Sequence, residues 1–454
     1  MSNLNVRSVT GKDGQPVLFP TGIAFGSGAA GGVNNIGIAG QAGFGVGVCP
    51  GPLPSGFGGL SDYANPMSDD YGNYRYSDGS IMVWIPAFYY LWGTGSNGLA
   101  VNVVSIRPFS YYADVATANA AGYALHRAFY DGGAPTAGFF VDKYLWSNNG
   151  GVASSIKNGI PLSSAVRGSL ASDHFSHCTG NGQSPADTLG GAIAVAKSRG
   201  NDFFCNSRFN FAALAMLAYA HAQASTSTTY CAWYSSGATN YPKGCTNDAL
   251  GSTNDAALLF VSDGNGTYNC CKTGSANLFS RTTHNGQNCG VADLAGTLWE
   301  VTPGLTSNGT NLYVLKTTAR MKNLTGGNAG ALDLWGAAGI AALYADLGTS
   351  YGALWATAAN RATYFGAATQ VFSEATSGNW WNLAGLGVPL AAGVGGTNAF
   401  GNDGLGDYKP DEMCPISGGG WNYASPAGAW ALGLNTTRSN STYDCGGRSA
   451  LVLG

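Results

Sequence analysis

Apolar positions gather into a few long runs, separated by stretches dominated by Gly, Asn, Ser and Thr. The first run, Gly79-Ser80-Ile81-Met82-Val83-Trp84-Ile85-Pro86-Ala87-Phe88-Tyr89-Tyr90, is almost continuously apolar and aromatic and predicts a strand. Pro86 cannot donate to a ladder, so its presence implies an edge or a bulge. Gly138-Phe139-Phe140-Val141-Asp142-Lys143-Tyr144-Leu145 predicts a second strand. From Phe209 to Gln223 the chain is Ala-rich and apolar nearly all round, the pattern of a buried helix. A shorter helix is expected from Pro185 to Ser198, with Ser184 as N-cap and Pro185 at the first helical position. Elsewhere short strands and loops alternate with Gly/Asn/Ser turns, and no internal repeat is visible. The expected class is α+β, loop-rich with few helices.

Ahead of these elements, residues 20–58 form a Gly/Ala/Val-rich tract that cannot build a core alone. Its later part, Gly43-Phe44-Gly45-Val46-Gly47-Val48, alternates as a strand does. Residues 1–78 are therefore expected to be an attachment or oligomerisation segment, and residues 79–454 the folded domain.

Composition narrows the class. Gly accounts for 70 of 454 residues but follows no G-X-Y period, which excludes collagen. Aromatic residues make up 12%, spread along the chain, whereas disordered low-complexity chains lack them. Glycine here serves turns and close backbone approaches. Net charge is -3 without a basic block, so no nucleic-acid footprint is expected. No run of about 20 apolar residues predicts a membrane span. Met1 to Arg7 lacks the apolar region of a secretion signal. The 10 cysteines consequently imply no disulfide framework and are expected as free thiols.

The last 37 residues have the most distinctive composition. Gly418-Gly419-Gly420-Trp421-Asn422-Tyr423-Ala424-Ser425-Pro426, Ala429-Trp430-Ala431-Leu432 and Gly446-Gly447-Arg448 enclose a stretch rich in Asn, Thr, Ser, Tyr and Gly. The segment contains no Lys, Glu, Gln or Met. Short adaptable polar groups and Tyr on a rigid frame are the chemistry of a recognition surface. A catalytic pocket needs convergent titratable groups instead. Trp421 and Trp430 read as buried frame, and Arg448 as a structural arginine forking onto carbonyls or a carboxylate. Asn422, Tyr423, Asn435 and Asn440 are the better contact candidates, set against ordinary surface loop.

Asp293-Leu294-Ala295-Gly296-Thr297-Leu298-Trp299-Glu300-Val301 resembles the D-x-x-G-N-V-W-E-W signature of the formylglycine-generating-enzyme-like C-type lectin fold. Met82 to Pro86 resembles its opening strand, and Phe140 to Tyr144 the next. The 209–223 helix, Trp233-Tyr234 and Tyr241-Pro242-Lys243-Gly244 follow in the same order. Within that superfamily the ending resembles phage receptor-binding proteins of the major tropism determinant type, the targets of diversity-generating retroelements. The shared frame runs from Gly-Gly-x-Trp to Gly-x-Arg. The resemblance covers residues 79–454, with residues 418–448 as the variable region. It implies a diversified, exposed face made of Gly420, Asn422, Tyr423, Ala424, Pro426, Gly433, Asn435, Thr436, Asn440, Thr442, Asp444 and Cys445. It also implies a buried Trp299 and a Glu300 bonded to backbone. Two departures stand out. Gly447 replaces a Phe or Ala, which bears on local packing, and Thr297 replaces the signature Asn, which bears on a turn.

The expectation is a non-enzymatic tail-fibre protein, assembled in the host cytoplasm and carried at the fibre tip of the virion. Its partners would be a host cell-surface protein or glycan and other virion tail proteins. By resemblance it would be a homotrimer, without nucleic-acid binding or membrane insertion. The alternatives are a prophage or bacterial surface display protein of the same fold, a plain structural virion protein, and an oxidase relative, for which Cys414 and Cys445 flank the segment but the Cys-containing motif after Gly418-Gly419 is absent. No cofactor is expected. Asn402-Asp403-Gly404 with Asp407 is the candidate for Ca²⁺, against a plain Asx turn. Asp173-His174 with His177-Cys178 is the one metal-like cluster, and it has no partner ligands in the sequence.

Overall fold

In the computed structural model, residues 33–166, 172–234, 244, 260–262, 269–275, 283–316, 344–348, 362–365, 371–372, 384–389 and 400–453 are described. Pro86 ends the first strand, since a residue without an N–H cannot continue a ladder. The expected single strand is therefore two, Ile81–Pro86 and Phe88–Trp92, and they enter different sheets. The first lies inside a six-stranded antiparallel sheet ordered Phe57–Gly59, Asn73–Tyr76, Ile81–Pro86, Gly138–Asp142, Ser449–Val452, Phe204–Cys205. The C-terminal strand thus runs between two others, with Leu451 opposite Phe140.

A second six-stranded sheet carries most of the C-terminal segment. Its order is Ala362–Tyr364, Gly404–Gly406, Leu432–Gly433, Ile416–Ser417, Trp299–Val301, Cys445–Gly446. Trp299 pairs with Cys445 in parallel, and Glu300 pairs with Gly446 on one side and Ser417 on the other. The chain then crosses from this sheet to the first one between Gly446 and Ser449.

Three α-helices occur among the described residues: α1 (Val115–Ala120), α2 (Gly191–Lys197) and α3 (Arg208–Ala224). Strands and loops dominate, as expected, and none of these helices is long and apolar enough to cross a membrane. α3 matches the predicted buried helix. Ser207 caps it by accepting the Asn210 N–H at 3.1 Å, and every residue from Arg208 to His221 is buried. A cap of this kind contributes about 1 kcal/mol.

α2 starts six residues later than Pro185 predicts. The Leu189 and Gly190 N–H groups donate to the Asn440 and Arg438 carbonyls at 2.8 and 2.9 Å. Asp187 accepts the Ser176 N–H at 3.0 Å. In a helix beginning at Pro185 the Leu189 and Gly190 N–H groups would donate to the carbonyls of Pro185 and Ala186, and the bonds to Asn440 and Arg438 replace those.

The boundary expected after residue 78 falls inside the fold. Phe57–Gly59 and Asn73–Tyr76 are strands of the first sheet, and Ile36, Phe44, Val46 and Tyr71 belong to the core. Two histidines hold the 36–48 arm. His221 accepts the Gly40 N–H at 3.0 Å and stacks on Phe44, with centroids 5.3 Å apart. His284 Nε2 meets the Gly45 carbonyl at 3.0 Å, and Asn285 donates to the Phe44 carbonyl at 2.9 Å. Alternation in a Gly-rich tract cannot distinguish a free segment from one clamped by distant side chains. Residues 1–32 of that expectation, and Tyr241 to Lys243, lie outside the described residues.

Gly447, the first departure, has a packing reason. A Cβ built there would stand 2.6 Å from the Trp146 ring. That indole occupies the space, its N–H donating to Ser449 Oγ at 2.9 Å. Gly447→Ala is expected to destabilise the protein by about 1–3 kcal/mol through overpacking. A chemical-denaturation midpoint equal to that of the unmodified protein would contradict this.

Candidate functional site

The segment 418–448 separates into buried and exposed parts. Gly418 and Gly419 have φ of 92° and 80°, and a Cβ on Gly418 would stand 2.6 Å from the Leu294 carbonyl oxygen. Only glycine makes this turn without strain. Trp421 packs on Leu145, Leu298, Cys270 and Cys271. Trp430 lies among Trp92, Phe365, Phe372 and Phe400. Both tryptophans are frame.

Arg448 is the centre of that frame. Its Nε and Nη2 donate to the two Glu300 oxygens at 2.7 and 2.6 Å. Its Nη1 donates to the Asp142 and Lys143 carbonyls at 3.1 and 3.2 Å. Glu300 therefore bonds Arg448, and the expectation that it bonds backbone is corrected. Burial raises the Glu300 carboxyl and the Arg448 charge opposes the rise. Nearby, Asp142 takes Arg199 at 2.6 and 3.1 Å and the Ser449 N–H at 2.7 Å. Buried charges of this kind persist only when paired and hydrogen-bonded.

The side chains between these anchors reach solvent. Asn422, Tyr423 and Asn440 are exposed, and Ala424, Pro426, Asn435, Thr436, Thr442 and Asp444 are half-buried. Gly420, Gly433 and Cys445 are buried and present no side chain to a partner. Gly433 and Cys445 are strand residues of the second sheet, and Gly420 bridges Thr297. Gly420 acts as a spacer: a Cβ there would meet Asn422 Oδ1 at 3.0 Å, Trp299 Cδ1 at 3.3 Å and Asp444 Cβ at 3.6 Å.

Asn422, Tyr423 and Asp444 thus lie beside the Trp299 ring, and Thr442 joins them through Asp444. Tyr423 stands edge-on to Trp299, with centroids 4.9 Å apart and an interplanar angle of 87°. Burial raises its phenol pKa, and the Asp444 charge adds to the rise. Tyr423 is accordingly a neutral donor and acceptor. The Thr442 hydroxyl donates to the Asp444 carboxylate, and the Asp444 carbonyl accepts the Trp299 N–H at 2.8 Å. Pro426, Asn435 and Thr436 form a second group beside Gly404, Gly406 and Cys414. Asn440 joins the 187–190 segment through Leu189.

Two contributors escaped the sequence reading. Tyr443 is 38% exposed and packs on Trp421, with centroids 5.8 Å apart. It lies between two nominated positions, and its aromatic character was the available signal. Ser164 fixes the 441–444 loop. Its Oγ donates to the Thr442 carbonyl at 2.8 Å and accepts the Thr442 N–H at 3.0 Å, and its carbonyl accepts Ser441 Oγ at 3.0 Å. At 278 residues' separation no local pattern announces it.

Asp403 and His174, two buried members of the metal candidates, are engaged in structure. Asp403 is buried and accepts the Trp430 N–H at 2.8 Å, so its carboxylate secures the frame. His174 Nδ1 meets Asp187 at 2.9 Å and Ser176 Oγ at 2.8 Å. Among the described residues, no group of three His, Cys, Asp or Glu side chains is arranged to hold a metal ion. The nine described cysteines are buried thiols. Burial raises Cys414, and burial with the Asp444 charge raises Cys445 well above the usual thiol range. Such thiols are poor nucleophiles.

No family model and no curated protein matches the chain. Among solved structures it is similar to the Major Tropism Determinant I1 variant, with 14% identity and a TM-score of 0.30, over 82% of this chain and 63% of that one. The M1 variant gives 14% and 0.30 over 83% and 64%, and the U1 variant 13% and 0.28 over 83% and 66%. The chain spans less than two thirds of the length of these proteins.

Proposed function

We propose that this protein is a phage receptor-binding protein that adsorbs to a bacterial surface receptor through residues 418–448, displayed on a C-type lectin scaffold. One observation carries the reading. The segment combines a buried frame of Gly418, Trp421, Trp430 and Arg448 with exposed Asn, Ser and Tyr side chains between them. A rigid base lowers the entropy lost when such side chains meet a partner. The motif resemblance supports the same reading and adds the tail-fibre tip, the homotrimer and the retroelement. Several copies on one particle turn weak single contacts into strong avidity. The mechanism is binding alone, which the poor nucleophilicity of Cys414 and Cys445 favours over oxidase chemistry.

The test is capture of labelled full-length protein by a panel of bacterial strains. Binding to some strains is expected, with a loss of tenfold or more in an Asn422→Ala/Tyr443→Ala variant of unchanged melting temperature. Equal capture by both proteins would overturn the assignment of this face. Sequencing the neighbouring DNA tests diversification. A reverse transcriptase gene and a near-copy of the last coding stretch, differing at adenines, are expected there.

A further inference from the structure

Tyr423 and Tyr443 are exposed large aromatic side chains, 43% and 38%, in a segment otherwise short and polar. Each is braced by a buried tryptophan, Tyr423 by Trp299 and Tyr443 by Trp421. Ser164 holds the Tyr443 loop by three hydrogen bonds, and Gly420 lets the turns carrying Asn422 and Asp444 close together beside Trp299. The two rings are therefore set before any ligand arrives.

The charges on this face are spent internally. Arg438 and Arg448 are the cations of the segment. Arg438 is bound by both Glu412 oxygens at 2.9 and 2.6 Å, and Arg448 by Glu300. The Asp444 carboxylate takes the Thr442 hydroxyl. An anionic ligand thus finds no unpaired cation within 418–448, and a cationic one only a carboxylate already engaged. What remains exposed is the amide and hydroxyl set of Asn422, Ser425, Ser439, Asn440 and Ser441. Amides and hydroxyls both donate and accept.

We propose that this face binds a neutral carbohydrate, with Tyr423 and Tyr443 stacking on the apolar C–H faces of sugar rings and the neighbouring amides and hydroxyls pairing with sugar hydroxyls. This rests on the receptor-binding reading. The same surface suits a protein partner less well. A standard protein interface buries about 800 Å² a side around an apolar, well-packed centre. Here two tyrosine rings supply the large exposed apolar groups of the segment.

The experiment compares capture of labelled full-length protein by a strain it binds, after periodate oxidation of the cells or after proteinase treatment, and adds soluble glucan, galactan and mannan as competitors. Capture is expected to survive proteinase, fall at least tenfold after periodate, and be competed by at least one neutral polysaccharide. Tyr423→Ala and Tyr443→Ala should each weaken it about tenfold, and Tyr443→Phe by less than threefold, because the ring face remains. Ser164→Ala should weaken binding while melting at a similar temperature, as a positioning residue would. Loss of capture to proteinase and not to periodate, or competition only by polygalacturonate, overturns the carbohydrate proposal and leaves receptor binding standing. Capture that is indifferent to both tyrosine variants overturns both.

Discussion

Arg448→Ala is expected to destabilise the protein by about 3–5 kcal/mol, the cost of removing one partner from a buried ion pair. The typical single substitution costs about 1 kcal/mol. The difference arises because Glu300 is 0% exposed and would be left as a buried charge. The two Arg448 bonds to Glu300 and the two to the Asp142 and Lys143 carbonyls would vanish together. Those bonds join the Trp299–Val301 strand of one sheet to the Gly138–Asp142 strand of the other. Trp299 also braces Tyr423, so binding should weaken along with stability. Arg448→Met combined with Glu300→Leu should recover most of the loss, because an apolar pair of similar volume replaces a buried ion pair at little cost. Denaturant unfolding of the single and double variants measures this. A single variant within 1 kcal/mol of the parent, or a double variant no better than the single, counts against it.

Acidification from pH 7 to pH 4 should destabilise the fold by several kcal/mol and release the 36–48 arm early. Burial pushes His126 and His284 down to about 3 and His221 to about 4, from an ordinary 6.5. The folded pKa values lie below the unfolded ones. Falling pH therefore protonates the unfolded chain first, near pH 6.5, and stability drops until the folded pKa values are reached. At 1.36 kcal/mol per unit, each histidine withdraws roughly 3 kcal/mol by pH 4. Asp293, Asp142 and Glu300 act in the opposite sense. Burial raises all three, Asp293 to about 6, against the charges of Arg448 and Arg199, so they favour the folded state as pH falls. They offset part of the loss from the three histidines. His221 and His284 both grip the arm, at Gly40 and Gly45. Amide hydrogen exchange across residues 36–48 should accelerate before global unfolding. His284→Gln should flatten the pH dependence while lowering stability at pH 7. An unfolding free energy that is flat or rising between pH 7 and pH 4 would sink this account.

Some elements were legible because a local pattern implies them whatever surrounds it. α3 is apolar nearly all round, so its existence and its burial can be read from the chain, while its Ser207 cap went unremarked. Pro86 marks a break in a strand because it lacks an N–H, although which sheet each half joins is not a local property. α2 starts later than Pro185 implies because the Leu189 and Gly190 N–H groups are claimed by the Asn440 and Arg438 carbonyls, far along the chain. In the site, the glycine turn and the buried tryptophans follow from residue type. Three of the twelve nominated side-chain positions do not reach solvent, since strand pairing at Gly433 and Cys445 and the tight approach at Gly420 were invisible beforehand.

By itself, then, the sequence determined composition-level facts: a polar, aromatic C-terminal segment bounded by glycines and tryptophans, one buried helix, and a loop-rich chain of strands. Those depend on residue type and on spacings of a few residues. Only the tertiary structure decided that the 36–48 arm is clamped into the core, that Arg448 pairs with Glu300, and that Ser164 holds the Tyr443 loop. Each of these joins residues more than 140 positions apart. Such pairings depend on which sheet each strand enters, and that is chosen by the burial of the whole core rather than by any short stretch of chain.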